Sequence, residues 1–274
     1  MAMNPQRLDE QLFKLLSKRE KTAHKGHFGH VLIIGGDDGY AGATRLAGEA
    51  ALRVGAGLVS IATQPTHVNA VMAGRPELMV RGIEQGTDLS PLLKRATVVV
   101  IGPGLGRSVW SEEIFTYILQ VITVPMIIDG DGLYWLSQRP HQNAQWILTP
   151  HVQEASRLLK ISTEAIDNNR LAAVTQLQQQ YKGVSVLKGS GTLVQDEHAT
   201  HICLAGNPGM ATGGMGDVLS GVIGGLLAQG LSLKEAAQLG VFMHACAGDL
   251  AAQHGERGLI ASDLLQYIRQ LANA

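Results

Sequence analysis

Short apolar runs, each closed by glycine or aspartate, recur along the chain, and most are followed by a stretch of helical spacing. The run 30–34 (His-Val-Leu-Ile-Ile) ends at Gly35-Gly36, and 57–62 is a second run. The run 96–101 (Ala-Thr-Val-Val-Val-Ile) ends at Gly102-Pro103-Gly104-Leu105-Gly106. Residues 125–128 end at Asp129-Gly130-Asp131-Gly132, 146–148 at Thr149-Pro150-His151, and 184–187 at Lys188-Gly189-Ser190-Gly191-Thr192. These runs read as buried strands. Segments 43–54, 66–73, 89–94, 111–119, 153–159, 166–181, 217–229, 233–254 and 262–271 read as helices, and 192–195 and 201–204 as short antiparallel strands. Leu8, Leu12, Leu15 and Leu16 predict a leading helix over 7–19, within residues 1–20. The alternation predicts an α/β fold: three layers, α/β/α, around a mostly parallel central sheet. No linker, low-complexity tract or fixed-period repeat interrupts it, so residues 1–274 are expected to form a single domain.

Composition agrees and narrows the partners. Apolar residues make up 45% of the 274, enough for a sizeable core, while 33 glycines and only 4% aromatics suit glycine-rich turns after parallel strands. A net charge of −1 points to neither nucleic acid nor an anionic membrane as the main partner. Cys203 and Cys246 are the two cysteines, too few for a disulfide framework, so a reducing cytoplasm is expected. No apolar signal core opens the sequence, and no apolar stretch is long enough to span a bilayer.

The densest chemistry lies in 205–221, Ala-Gly-Asn-Pro-Gly-Met-Ala-Thr-Gly-Gly-Met-Gly-Asp-Val-Leu-Ser-Gly. Glycines crowd the expected start of a helix, whose free N–H groups attract anions. Asp217 repels a phosphate but suits a base that deprotonates an attacking hydroxyl. An N-cap is the plain alternative for that aspartate. At 188–192, an ammonium, hydroxyls and backbone N–H groups converge, as a nucleotide phosphate or ribose requires; a hairpin turn is the alternative. Glycines 102–106 permit a flat ring to stack on bare backbone. Asp129 and Asp131, two apart in an extended segment, would point the same way and suit hydrated Mg²⁺, or else are solvated turn residues. His151 stands on the presumed ligand edge. His27 and His30 lack a nearby acidic or cysteine partner for zinc, and no P-loop or well-placed Gly-x-Gly-x-x-Gly is present.

Taken with Lys25-Gly26, Gly29 and Ala41-Gly42-Ala43, these motifs resemble, in order from about residue 20 onward, the ADP-dependent NAD(P)H-hydrate dehydratases of the ribokinase-like superfamily. The resemblance implies phosphorylation of the ring hydroxyl of the S epimer of NAD(P)H hydrate by ADP. AMP leaves in that transfer, and loss of phosphate then restores the ring double bond, so the products are NAD(P)H, AMP and phosphate. It assigns Asp217 as base, backbone N–H groups of Gly214, Met215 and Gly216 as an anion hole, and Lys188, Gly189, Ser190, Gly191, Thr192 and Gly216 to the adenine nucleotide. Ala43, Gly106, His151 and Asp217 would contact the hydrated dinucleotide. Mg²⁺, a homotetramer, and an epimerase working on the same pool are also implied. Many bacterial members carry an N-terminal epimerase domain; 274 residues leave no room for one, so the chain resembles a stand-alone dehydratase or an excised domain. Two departures stand out: Tyr134 where the family often has asparagine, and Val152-Gln153-Glu154 where it often has Pro-Gly-Glu. A small-alcohol or vitamin kinase of the same superfamily and a non-catalytic nucleotide sensor are the rival readings.

Overall fold

A computed structural model describes residues 4–274. Ten strands, β1 (Gln6–Arg7), β2 (His30–Ile34), β3 (Leu58–Thr63), β4 (Met79–Gly82), β5 (Val98–Ile101), β6 (Met126–Ile128), β7 (Trp146–Leu148), β8 (Val184–Leu187), β9 (Thr192–Gln195) and β10 (Thr200–Cys203), make one sheet. Its order is β1-β10-β9-β8-β7-β6-β5-β2-β3-β4. Only β9 runs against its neighbours. The helices are α1 (Ala41–Val54), α2 (Val68–Ala73), α3 (Ser90–Leu93), α4 (Val109–Val121), α5 (Asp131–Gln138), α6 (Val152–Leu159), α7 (Thr163–Asn168), α8 (Arg170–Tyr181), α9 (Met215–Ala228), α10 (Leu233–Ala252) and α11 (Leu264–Leu271).

Period-two alternation sorts the strand residues onto two cores, as it must in a sheet buried on both faces. Val31, Ile33, Val98, Val100, Ile127, Ile147 and Val186 meet α1, α9, α10 and α11 on one face. Leu32, Ile34, Val99, Ile101, Ile128, Leu148 and Leu187 meet α4, α5, α6 and α8 on the other. The predicted three-layer architecture is therefore present. The small-residue faces of α1 and α10 are buried within this one chain. On α9, a side chain on Gly221 would collide with the Ala47 carbonyl of α1, so the two helices pack backbone to backbone. That contact seats the first turn of α9 over the sheet.

The leading helix is not formed. Residues 6–7 pair with the edge of β10, Leu8 donates its N–H to the Ile202 carbonyl at 2.9 Å, and only Glu10–Leu15 coils, as a 3₁₀ helix capped by Asp9. Pairing an otherwise open strand edge outweighs the propensity of a short amphipathic segment. The helix expected over 166–181 breaks at Asn169, whose side chain accepts the Ala172 N–H at 3.1 Å and starts α8 afresh. Strand β4 is unanticipated: it lies on the other sheet edge, half exposed, and lacks a continuous apolar run.

The chain leaves β2 for β3 and β4 on one side and returns to β5 on the other. Ligands settle beyond the carboxyl ends of strands at such a switch. Here the loops after β2 and β5 are laced by backbone bonds, Gly36 N–H to Pro103 O at 3.1 Å and Asp37 N–H to Gly104 O at 2.8 Å.

Candidate active site

Strand ends bring most of the predicted residues to one edge. Lys188, after β8, reaches Asp129, after β6, with Nζ 2.8 Å from Oδ1. Thr149, after β7, donates to the same oxygen at 2.7 Å. Glu154, on the first turn of α6, lies 3.8 Å from Lys188 Nζ. Burial works against the ammonium, but Asp129 and Glu154 outweigh it and raise its pKa. Burial also raises Glu154, against the pull of Lys188.

The α9 N-terminus closes over this cluster. Gly214 takes φ +90°, the left-handed region where glycine carries no Cβ penalty, and turns the chain into the helix. Gly216 has no side chain where a Cβ would stand 3.2 Å from Lys188 Nζ and 3.5 Å from Asp129 Oδ2. Among the described residues, no acceptor takes the N–H of Met215, Gly216 or Asp217; the first helical bond is Val218 N–H to Gly214 O at 3.0 Å. These are free donors for an anion.

Asp217 lies in the first turn of α9, after the N-cap Gly214, and among the described residues no N–H of its own helix donates to its carboxylate. Its half-buried carboxylate accepts no hydrogen bond among the described residues. Burial first, then the negative charge of Asp129, push its pKa up to about 7, with Lys188 opposing. A carboxylate poised there is suited to take a proton from a hydroxyl near neutral pH.

Among the described residues, the N–H groups of Gly189, Ser190 and Gly191 have no acceptor either, and their loop is held from behind. Arg170 Nη2 donates to the carbonyls of Leu187, Lys188 and Gly191 at 3.1, 3.3 and 3.4 Å. With carbonyls drawn inward, amides face outward as an anion nest. Arg170→Met is expected to raise the KM for the adenine nucleotide about tenfold, with kcat little changed, in initial-rate kinetics.

His151 serves as the N-cap of α6. Its Nδ1 accepts the N–H groups of Gln153 and Glu154 at 3.1 and 3.4 Å, leaving the proton on Nε2, which stands 3.4 Å from Glu154 Oε1. Burial, with Lys188 nearby, lowers its pKa, so the ring is a neutral donor. Ala43 packs on the turn after β5: a Cβ on Gly104 would lie 3.0 Å from its own. Gly106 adjoins Asp37 and, through its N–H, Asp131 at 3.1 Å.

Asp129 and Asp131 do not lie in one extended segment: Gly130 turns at φ +51° and Asp131 opens α5. Asp129 is held by Lys188 and Thr149, and Asp131 by Arg107 and the Gly106 N–H. No group of three or more His, Cys, Asp or Glu among the described residues could hold a metal. His30 instead bonds Ser60 at 2.8 Å. A cavity of about 1070 Å³ lies away from the candidate site, near Arg19, His27, Phe28, Arg53 and Arg75, and includes none of the site residues.

The family described as NAD(P)H-hydrate dehydratase matches residues 31–270. The chain belongs to that family. It is 56% identical over 264 residues to the bifunctional NAD(P)H-hydrate repair enzyme Nnr of Coxiella burnetii, covering 96% of this chain and 54% of that protein. It thus spans about half the length of the bifunctional relatives it matches. It is 38% identical over 248 residues to the ADP-dependent (S)-NAD(P)H-hydrate dehydratase of Lactiplantibacillus plantarum, covering 89% of this chain and 88% of that one. The solved ADP/ATP-dependent NAD(P)H-hydrate dehydratase of Bacillus subtilis, co-crystallised with ATP and Mg²⁺, superposes with a TM-score of 0.87 at 26% identity, covering 98% of both chains. Glu154, Thr149 and Arg170 also stand in the candidate site, and motif reading gave none of them a role. The hydroxyl and guanidinium sit outside any glycine loop. For Glu154 a signal exists: His-x-x-Glu before an apolar run is a capping-box spacing.

Proposed function

We propose that this chain carries out the ADP-dependent dehydration of the S epimer of NAD(P)H hydrate. The observation that carries the reading is the Asp217 carboxylate, unbonded among the described residues, beside the free amides of α9. Asp217 takes the proton as the substrate hydroxyl attacks the terminal phosphorus of ADP, and AMP departs. The amides of Gly214, Met215 and Gly216 receive the developing charge. Lys188 through Thr192 hold the nucleotide, while Ala43, Gly106 and the neutral donor His151 face the dinucleotide. The phosphate ester then breaks at its carbon–oxygen bond, the ring nitrogen supplying electrons and phosphate taking the pair. An adjacent ring carbon releases a proton, which restores the double bond.

Asp129 and Asp131 do not fit a metal ligand pair, and no step here runs through Mg²⁺. The reading leaves a magnesium ion to the nucleotide phosphates and water. An epimerase acting on the same pool fits the relatives called bifunctional. The homotetramer draws no support from the small-residue faces of α1 and α10, which the core already buries; sedimentation velocity measures it. A cytoplasmic location fits two free cysteines. No helix among the described residues is long and apolar enough to cross a membrane.

Incubation with ADP and hydrated NADH tests the reading. It predicts the return of dihydronicotinamide absorbance with equimolar AMP and phosphate. Accumulation of a phosphate ester without that absorbance would make the protein a kinase, and binding without turnover a sensor.

A further inference from the structure

The ligand edge is crowded with carboxylates. Asp37, Asp129, Asp131, Glu154 and Asp217 all stand at or near it. A dinucleotide carries a diphosphate into this field, and Lys188 is already engaged by Asp129 and Glu154. Arg107, next to Gly106, is different. Its Nε donates to Asp131 Oδ1 at 3.1 Å, and the guanidinium carbon lies 4.1 Å from the centre of the Tyr134 ring. The other Asp131 oxygen is taken by the Gly106 N–H at 3.1 Å. One bond and one stacked face therefore fix the guanidinium plane, while half of the side chain stays exposed. Its Nη groups donate to no residue among those described.

A guanidinium held in this way loses little freedom on binding and presents a fork matched to phosphate oxygens. Tyr134 acquires a role here that its position on α5 alone did not disclose: it is the platform for Arg107. Arg157 also stands near His151, but no contact fixes its plane among the described residues.

We propose that Arg107 anchors a phosphate group of the dinucleotide substrate. The inference rests on the dehydratase reading above. Two phosphates are chemically eligible, the diphosphate common to both hydrates and the 2′-phosphate of NADPH hydrate.

The test measures KM and kcat for NADH hydrate, NADPH hydrate and ADP in the wild type, Arg107→Ala and Arg107→Lys. It also includes fluorescence titration of NADH and NADPH without turnover. Loss of a charge-assisted phosphate contact should raise the hydrate KM about tenfold in Arg107→Ala, with a smaller rise in Arg107→Lys. The KM for ADP and the thermal midpoint should stay near wild type. Equal rises for both hydrates identify the diphosphate, and a rise confined to NADPH hydrate identifies the 2′-phosphate. Unchanged KM for both hydrates overturns the proposal. So does a rise matched by ADP and accompanied by a fall in thermal midpoint, which marks a purely structural residue. Failure of the wild type to bind either dinucleotide overturns the dehydratase reading itself, and is seen before any variant is made.

Discussion

Asp217→Asn lowers kcat by about 10²–10⁴, the usual contribution of a positioned base, while adenine-nucleotide affinity stays within about twofold. The amide keeps the size of the carboxylate but cannot take the proton. The nest at 189–191 and the amides of α9 remain, so binding survives. Wild-type activity should rise with pH through about 7, because Asp217, raised by burial and by Asp129, must be ionised to act. The stability consequence has the opposite slope. A carboxyl raised in the folded protein holds its proton where the unfolded chain has released it. Its stabilising contribution is complete below the ordinary aspartate range and is lost as pH rises through about 7. Asp217→Asn should therefore be more stable than wild type in alkaline urea denaturation, and lose that advantage in acid. Loss of activity together with loss of stability at high pH would contradict this.

Lys188→Met produces the largest loss of stability among these variants. It removes the partner of Asp129, whose side chain is 3% exposed, and leaves that charge with Thr149 alone. Breaking a buried pair from one side costs about 3–5 kcal/mol; the lower end applies, since Lys188 keeps 18% of its side chain in water. Urea denaturation should show a lower midpoint at unchanged slope. Lys188 also holds the Asp217 pKa down, so in any activity that survives, the acid limb should move to higher pH. Asp129→Asn should move that limb the other way, because the Asp129 charge raises Asp217. Limbs that stay fixed in both variants would separate Asp217 from the pair.

Much of this arrangement is written locally. Runs such as 30–34 and 98–101 are buried on both faces, so continuous apolar sequence followed by glycine locates both strand and ligand edge. The glycines before α9 announce the helix terminus, and Asp217 falls in its first turn as the pattern predicts. What local pattern does not carry is direction. Asp129 and Asp131 are two residues apart in an apparently extended stretch, yet the positive φ of Gly130 sends one to Lys188 and the other to Arg107. Arg170 lies 18 residues from Lys188 and reaches the 187–191 carbonyls only when α8 packs beside β8. The leading segment fails as a helix for the same reason: the β10 edge that claims it lies nearly 200 residues away in sequence.

A crystal structure with bound ADP or a non-hydrolysable analogue tests the central claim most directly. The account predicts a terminal phosphoryl group on the amides of Gly214, Met215 and Gly216, facing the Asp217 carboxylate across a gap of about 3–5 Å that a substrate hydroxyl can enter. A nucleotide whose phosphates lie away from α9, or an Asp217 side chain turned from them, would contradict it.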